Sequence, residues 1–153
     1  NAEEWARVYD VNCVGALRMA QAVLPAMKSV GGGAIVNVGS SGGKRGVPYS
    51  AAYTASKFGM IGLTQTLAQE VGRYNIRANC ICPGYINTPL CDAYFETQPD
   101  PAAARQEAGA MHCLNRMGTT SEVAKCAVFL AGDDSSFVTG SSLVVDGGLI
   151  AKV

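Results

Sequence analysis

The sequence is short of the residues that hold metals and of the charge that recruits nucleic acid. Its 153 residues include one histidine, His112, and one tryptophan, Trp5. A metal site needs paired Cys or His ligands at suitable intervals. One imidazole leaves the six cysteines to supply any paired Cys or His ligands, and Cys80 and Cys82 alternate along a predicted strand. Residues two apart on a strand point the same way, which suits core packing better than chelation. No metal is expected, and the thiols read as buried and free in a reducing cytoplasm. Charged residues make up only 16%, with Lys+Arg and Asp+Glu equal at 12 each. Such a chain has no net field to gather nucleic acid or anionic lipid. No apolar run approaches the roughly 20 residues needed to span a bilayer. The opening Asn-Ala-Glu-Glu-Trp has neither the basic start nor the apolar core of a signal peptide, and it lacks Met. A cytoplasmic protein with no membrane or nucleic-acid partner is the expectation, its start truncated or processed. Also missing, between any strand and the helix after it, is the spaced glycine pattern that marks a pyrophosphate site. Gly31, Gly32 and Gly33 precede a strand instead.

What the chain has is apolar residues, 48% of the total, enough for one domain spanning 1–153 with a real core. From Ala2 to about Ser29, Trp5, Val8, Val11, Leu17, Ala20, Val23 and Leu24 recur at helical intervals and predict one long helix. Gly15 inside it predicts a closely packed neighbour, because glycine costs about 1 kcal/mol in a helix interior. Ala34 to Val38 reads as a buried strand opening into the loop Gly39-Ser-Ser-Gly-Gly43. A second helix follows over about 50–73, then a strand at 76–81 that stops at Pro83 and Gly84. Residues 84–118 show weak periodicity, interrupted by Pro89, Pro99 and Pro101, and read as a lid or binding segment. Thr120 opens a helix to about Ala131, and Ser142–Val145 is a third strand. Helix and strand alternate, each helix long enough for a crossover, so the class is α/β. The architecture predicted is a Rossmann-like doubly wound parallel sheet of which only the C-terminal half is present: three parallel strands with crossover helices.

Tyr53 and Lys57 lie four apart on the second helix and so share a face. A free phenol, with a pKa of about 10, is a poor acid or base near neutrality. A fixed ammonium nearby favours the phenolate and makes such a pair fit for proton transfer. Ser40 stands at the carboxyl end of the preceding strand, thirteen residues before Tyr53. Ligands of open α/β sheets bind at that edge, where a serine hydroxyl could hold a carbonyl oxygen. The loop from Pro83 through Gly84, Tyr85, Ile86 and Thr88 leaves the next strand at the same edge, with Gly84 allowing close approach to a ligand. Asn12 is a polar residue on an otherwise apolar helical face. Tyr85, Leu90, Tyr94, Phe95, Met111 and Leu114 supply an apolar pocket, whereas His112 has no evident partner.

Together these motifs resemble the classical branch of the short-chain dehydrogenase/reductase family, in its C-terminal catalytic portion. The likeness rests on Asn12-Cys-Val-Gly15, Asn37-Val-Gly-Ser40, Tyr53-Thr-Ala-Ser-Lys57, Arg77-Ala-Asn79 through Pro83-Gly84 and Thr88, Thr139-Gly140, and Val145-Asp-Gly-Gly148. It implies hydride transfer between NAD or NADP and a small alcohol or ketone. Tyr53 would be the general acid or base, Ser40 would hold the substrate oxygen, and Lys57 would also bind the nicotinamide ribose. Asn12 would join a proton relay through water. Pro83, Gly84, the Ile86 backbone and the Thr88 hydroxyl would meet the nicotinamide, and Tyr85 the substrate. The resemblance further implies a homodimer or homotetramer, with the first helix and the Tyr53 helix forming one face and the last strand a second. The nucleotide-binding N-terminal half of the family is absent from the sequence, which leaves the first strand as an open apolar edge. A non-enzymatic oligomerisation module that has lost cofactor binding is the alternative. A sugar-nucleotide epimerase or dehydratase, which can share the Tyr and Lys pair, is a third reading.

Overall fold

The computed structural model describes residues 1–152. Helices α1 (Ala2–Tyr9) and α2 (Gly15–Val30) are joined without a break by one π-helical segment, Asp10–Val14. The single helix foreseen from periodicity is therefore widened by one turn in its middle. Gly15 closes that turn, its N–H bonding the Asp10 carbonyl five residues back. The neighbour expected to explain Gly15 is missing: a Cβ there would meet only the Asp10 oxygen, at 3.6 Å. Gly31 ends α2 in the left-handed conformation (φ 79°), with the Gly31 and Gly32 N–H groups capping the Lys28 and Met27 carbonyls. The three glycines thus stop a helix before strand β1 (Gly33–Val38).

Helix α3 (Ala51–Val71) returns the chain to β2 (Ile76–Pro83), and α6 (Thr120–Ala131) precedes β5 (Ser142–Val145). Between β2 and α6 lie the short strands β3 (Ile86–Asn87) and β4 (Gly118–Thr119) and the helices α4 (Pro89–Phe95) and α5 (Pro101–Ala110). The main sheet runs β1-β2-β5, both pairings parallel, with Gly33 opposite Ile76 and Cys80 opposite Ser142. The central strand β2 is buried almost end to end, as a parallel strand covered on both faces must be. Its alternate residues show why. Ala78 packs with Ala20, Leu67 and Ala68, and Cys80 and Cys82 pack with Met60, which covers one face with α2 and α3. Arg77 and Asn79 point to the other face. The Arg77 guanidinium donates to the carbonyls of Leu130 (2.8 Å) and Gly132 (2.9 Å) and so caps the end of α6. Asn79 bonds Val138 and Ser141, holding the approach to β5.

β1 lies at the sheet edge, and a groove of about 460 Å³ lined by Val11, Met19, Val36 and Val38 runs beside it. The thiols divide rather than all being buried: Cys13, Cys80 and Cys82 are, Cys91 and Cys126 are half-buried, and Cys113 is exposed because it sits on the lid surface. Among the described residues, no helix is long and apolar enough to cross a membrane.

The segment 84–118 is more regular than its sequence suggests. Pro89 and Pro101 each sit in the first turn of a helix, behind the N-caps Thr88 and Asp100. Proline lacks the N–H that the first turn leaves unpaired, so it starts these helices instead of breaking them. The segment has a small core of its own, Phe95, Ala108 and Met117. It closes where β3 pairs with β4, beside the capping box of Thr119 and Glu122.

Candidate active site

The site is assembled from the loop that leaves β1. Ser40 is extended, and its Oγ accepts the Gly42 N–H at 3.0 Å, capping a single 3-10 turn over Ser41–Gly43. That turn is pressed onto α3. A Cβ on Gly43 would lie 2.7 Å from the Lys57 carbonyl oxygen, so only glycine fits there. A Cβ on Gly42 would lie 3.4 Å from Ser40 Oγ and 3.5 Å from Tyr53 Cε1. The serine hydroxyl and the phenol ring therefore flank the same small residue.

One turn further along α3, Lys57 Nζ stands 5.6 Å from the centroid of the Tyr53 ring and donates to the Val38 carbonyl at 3.0 Å. Burial pulls the Lys57 ammonium below its ordinary value, and the thiols of Cys80 and Cys82 beneath it act in the opposite sense. Those thiols lie 4.0 Å apart. Cys82 is the member favoured as thiolate, held down to about 7 by the hydrogen bond from Cys80 and then by the Ser40 backbone N–H. Asn12, half-buried in the π-helical segment, donates from Nδ2 to Ser56 Oγ at 3.0 Å, and Ser56 donates to the Tyr53 carbonyl at 2.7 Å. Its side chain thus steadies the turn of α3 between Tyr53 and Lys57 and bonds to neither the phenol nor the ammonium.

Ser40 and Tyr53 open on a cavity of about 790 Å³ shared with Gly84, Tyr85, Leu90, Tyr94 and Met111. Tyr53 is 41% exposed, so the phenol is within reach of a ligand entering there. Two residues named with the apolar pocket lie elsewhere. Phe95 is 2% exposed in the lid core, and Leu114 lines a smaller cavity of about 280 Å³ with Ile86. Both belong to the irregular segment, where the absence of a period hides which way a side chain faces.

Pro83 ends β2, and the Gly84 N–H bonds the Val145 carbonyl at 3.1 Å. The close approach that Gly84 permits is made by protein: a Cβ there would lie 2.8 Å from His112 Nε2 and 3.0 Å from Asp146 Cβ. Thr88 is occupied as the N-cap of α4, accepting the Cys91 N–H and donating to the Ile86 carbonyl, both at 3.3 Å. His112, given no partner from sequence, is 1% exposed and central here. Its Nε2 accepts the Tyr85 N–H at 3.2 Å while Nδ1 meets the Ala108 carbonyl at 2.8 Å. That pattern puts the proton on Nδ1. The imidazole therefore fastens the loop after β2 to the end of α5. A lone histidine in an aperiodic stretch carries no sequence signal of this kind, whereas Ser56 could have been read from its place between Tyr53 and Lys57. Among the described residues, no three His, Cys, Asp or Glu side chains gather into a metal-holding group.

Comparison with known proteins bears on the fold and the family. The family described as Enoyl-(Acyl carrier protein) reductase matches residues 1–150. The chain is 43% identical over 148 residues to (3R)-3-hydroxyacyl-CoA dehydrogenase of Rattus norvegicus, covering 96% of this chain and 55% of the rat protein. It is also 43% identical to 3-oxoacyl-[acyl-carrier-protein] reductase FabG of Thermotoga maritima, covering 97% and 58%. A Burkholderia xenovorans structure described as a short-chain dehydrogenase/reductase superposes with a TM-score of 0.95 at 36% identity, over all of this chain and 59% of that one. Gluconate 5-dehydrogenase of Burkholderia cenocepacia, solved with NADP and tartrate, superposes with a TM-score of 0.92 at 34% identity, over all of this chain and 58% of that one. The chain thus spans a little over half the length of the relatives it matches. With a match along almost its whole length, a parallel sheet and the Ser40, Tyr53 and Lys57 arrangement, the chain belongs to the short-chain dehydrogenase/reductase family.

Proposed function

We propose that this chain supplies the carbonyl-handling half of an NAD- or NADP-dependent oxidoreductase, with Tyr53 as the general acid or base. The observation that carries the reading is the convergence of the Ser40 hydroxyl and the Tyr53 phenol on Gly42, at the wall of one cavity, with the Lys57 charge a turn away. Relatives named as hydroxyacyl and oxoacyl enzymes, and solved relatives bearing NADP or NAD, support it.

The residues present fit the nicotinamide end of such a cofactor. Lys57 spends one of its three N–H donors on Val38, which leaves two to reach a ribose. Pro83, Gly84 and Ile86 would line the ring, although the Thr88 hydroxyl is already engaged as a cap. Held there by these residues, the nicotinamide would supply the donor or acceptor of the hydride. Ser40 then hydrogen-bonds the substrate oxygen and fixes it against the Tyr53 hydroxyl. In the reducing direction Tyr53 hands its proton to that oxygen, and in the oxidising direction it takes the proton back. Lys57 keeps a positive charge beside the phenolate while the proton is away. Asn12, through Ser56, keeps the tyrosine carbonyl and the helix turn in register, and Tyr85 walls the substrate.

Assembly into a homodimer or homotetramer is part of the same reading. Trp5 of α1 and Phe58 of α3 are 44% and 48% exposed, apolar area that a second copy would cover. The function is tested by Tyr53→Phe in the protein supplied with NADH or NADPH and a ketone. Turnover should fall about 1000-fold or more, the scale of general acid–base catalysis. Cofactor affinity, followed by nicotinamide fluorescence, should stay within about twofold, because Phe keeps the ring in place. A phenylalanine variant that turns over normally would overturn the assignment.

A further inference from the structure

Among the described residues, the cavity beside Ser40 and Tyr53 has one formal charge in its wall, Arg45, and no aspartate or glutamate. Arg45 follows the 3-10 turn of the serine loop and is half-buried. Its Nη1 makes a long bond, 3.4 Å, to the Leu149 carbonyl. A guanidinium carries five donors and needs an anion or several acceptors when withdrawn from water. Around it the wall is apolar or hydroxylic: Val47, Pro48, Leu90, Met111 and the rings of Tyr85 and Tyr94. We infer that Arg45 is the site's anion reader, so that the favoured substrates are small oxo and hydroxy acids whose carboxylate pairs with its guanidinium. This rests on the cavity being the substrate site.

Two features put the anion site and the reacting groups in one chamber. Ser40 and Arg45 belong to a single loop, pinned to α3 where Gly43 meets the Lys57 carbonyl. Arg45, Tyr53 and Tyr85 also line the same cavity, so the guanidinium and the reacting groups face one space. A substrate held at its oxygen by Ser40 and Tyr53 can therefore extend toward the guanidinium. Planar, two-pronged donation suits a carboxylate and would orient the substrate as well as bind it.

The test compares 3-oxobutanoate with its methyl ester, which shares the reacting carbonyl and lacks the charge, in wild type, Arg45→Met and Arg45→Lys. The wild type should prefer the acid by about 100-fold in kcat/KM, the scale of a charge-assisted pair. Arg45→Met should bring the acid-to-ester ratio close to one, and Arg45→Lys should restore part of it. An unchanged ratio in Arg45→Met overturns the inference. So does an equal loss for both compounds, which would make Arg45 a structural latch to Leu149. A phosphorylated ketone preferred tenfold over the carboxylate overturns the class assigned. If neither compound is turned over, the oxidoreductase reading fails by itself, and binding decides the role of Arg45. NMR titration with 3-oxobutanoate should then show binding to wild type that Arg45→Met abolishes, and no binding to wild type sinks it.

Discussion

The sheet with α2, α3 and α6 stands on extended apolar burial, whereas the lid from Tyr85 to Gly118 joins a small core of its own to caps, two ion pairs and one imidazole. In the sheet, Ile76, Ala78, Cys80, Ile81 and Cys82 are 0–1% exposed, and Ser40, Tyr53 and Lys57 sit on elements packed against them. In the lid, Thr88 and Asp100 begin two helices, and His112 ties the segment to the loop after β2. Reacting groups need fixed mutual distances, which a close-packed core enforces. A surface that admits and releases ligand needs fewer buried contacts and more local bonds, and so opens at lower free energy. The difference between the regions predicts how each fails: sheet-side changes should strike kcat and global stability, and lid changes should strike KM.

The largest effect is expected from Gly43→Val. Its side chain would enter the space of the Lys57 carbonyl, 2.7 Å from the Cβ position, and lift the serine loop off α3. Overpacking of this kind costs about 1–3 kcal/mol. Thermal melting should show that loss, and steady-state kinetics should show kcat falling about 100-fold or more as Ser40 leaves its place. Next comes His112→Leu, which keeps bulk but strands the Tyr85 N–H, at a cost of about 1–3 kcal/mol. KM should rise about tenfold with kcat changed much less, and hydrogen exchange should quicken over 85–118 before it does in β2. If exchange rises equally in β2, the two regions are one cooperative unit and the contrast is broken.

Smaller still is Tyr49→Gly, on the sheet side. Tyr49 is fully exposed with φ at 60°, a left-handed conformation in which a side chain costs about 1–2 kcal/mol. Glycine should raise stability by about 0.5–1 kcal/mol once its own flexibility in the unfolded chain is counted. A lowered melting temperature would give the tyrosine a contact role. The smallest effect concerns pH and the lid hinge. The Arg116 hydrogen bond, followed by the Thr119 backbone and hydroxyl, holds the Glu122 carboxyl at about 2, below an ordinary value of about 4.3. A carboxyl depressed on folding adds stability that is full above its unfolded value and fades as pH falls toward 2. Glu122→Gln should flatten the decline in melting temperature between about pH 4.5 and 2, leaving neutral pH almost untouched, since the pair is exposed to solvent. An identical acid limb in both proteins would remove Glu122 from the hinge.

Legibility followed the same division. The strands at 34–38 and 142–145 and the helices around Tyr53 and Val123 could be read closely because each is a mostly apolar stretch of fitting length, marked off by glycines or a polar cap. In the lid, Pro89 and Pro101 read as interruptions although they begin helices, because a proline's effect depends on which turn it occupies. Gly15 misled for a related reason. A glycine inside a helical pattern signals something unusual in the backbone, and periodicity alone does not distinguish close packing from a π-helical turn. Gly43, which does carry close packing, looked like one more loop residue.

The amino-acid order alone determined the α/β class, the strand order in time along the chain, and the pairing of Tyr53 with Lys57, since helical and strand periods are local properties of the backbone. Only the tertiary structure decided that Asn12 bonds Ser56, that Gly84 is crowded by His112 and Asp146, and that Arg45 stands in the cavity wall. Each of these joins residues more than twenty-five positions apart or turns on which way a loop faces. Such distances are set by how helices and sheet stack, and no repeat along the chain records them.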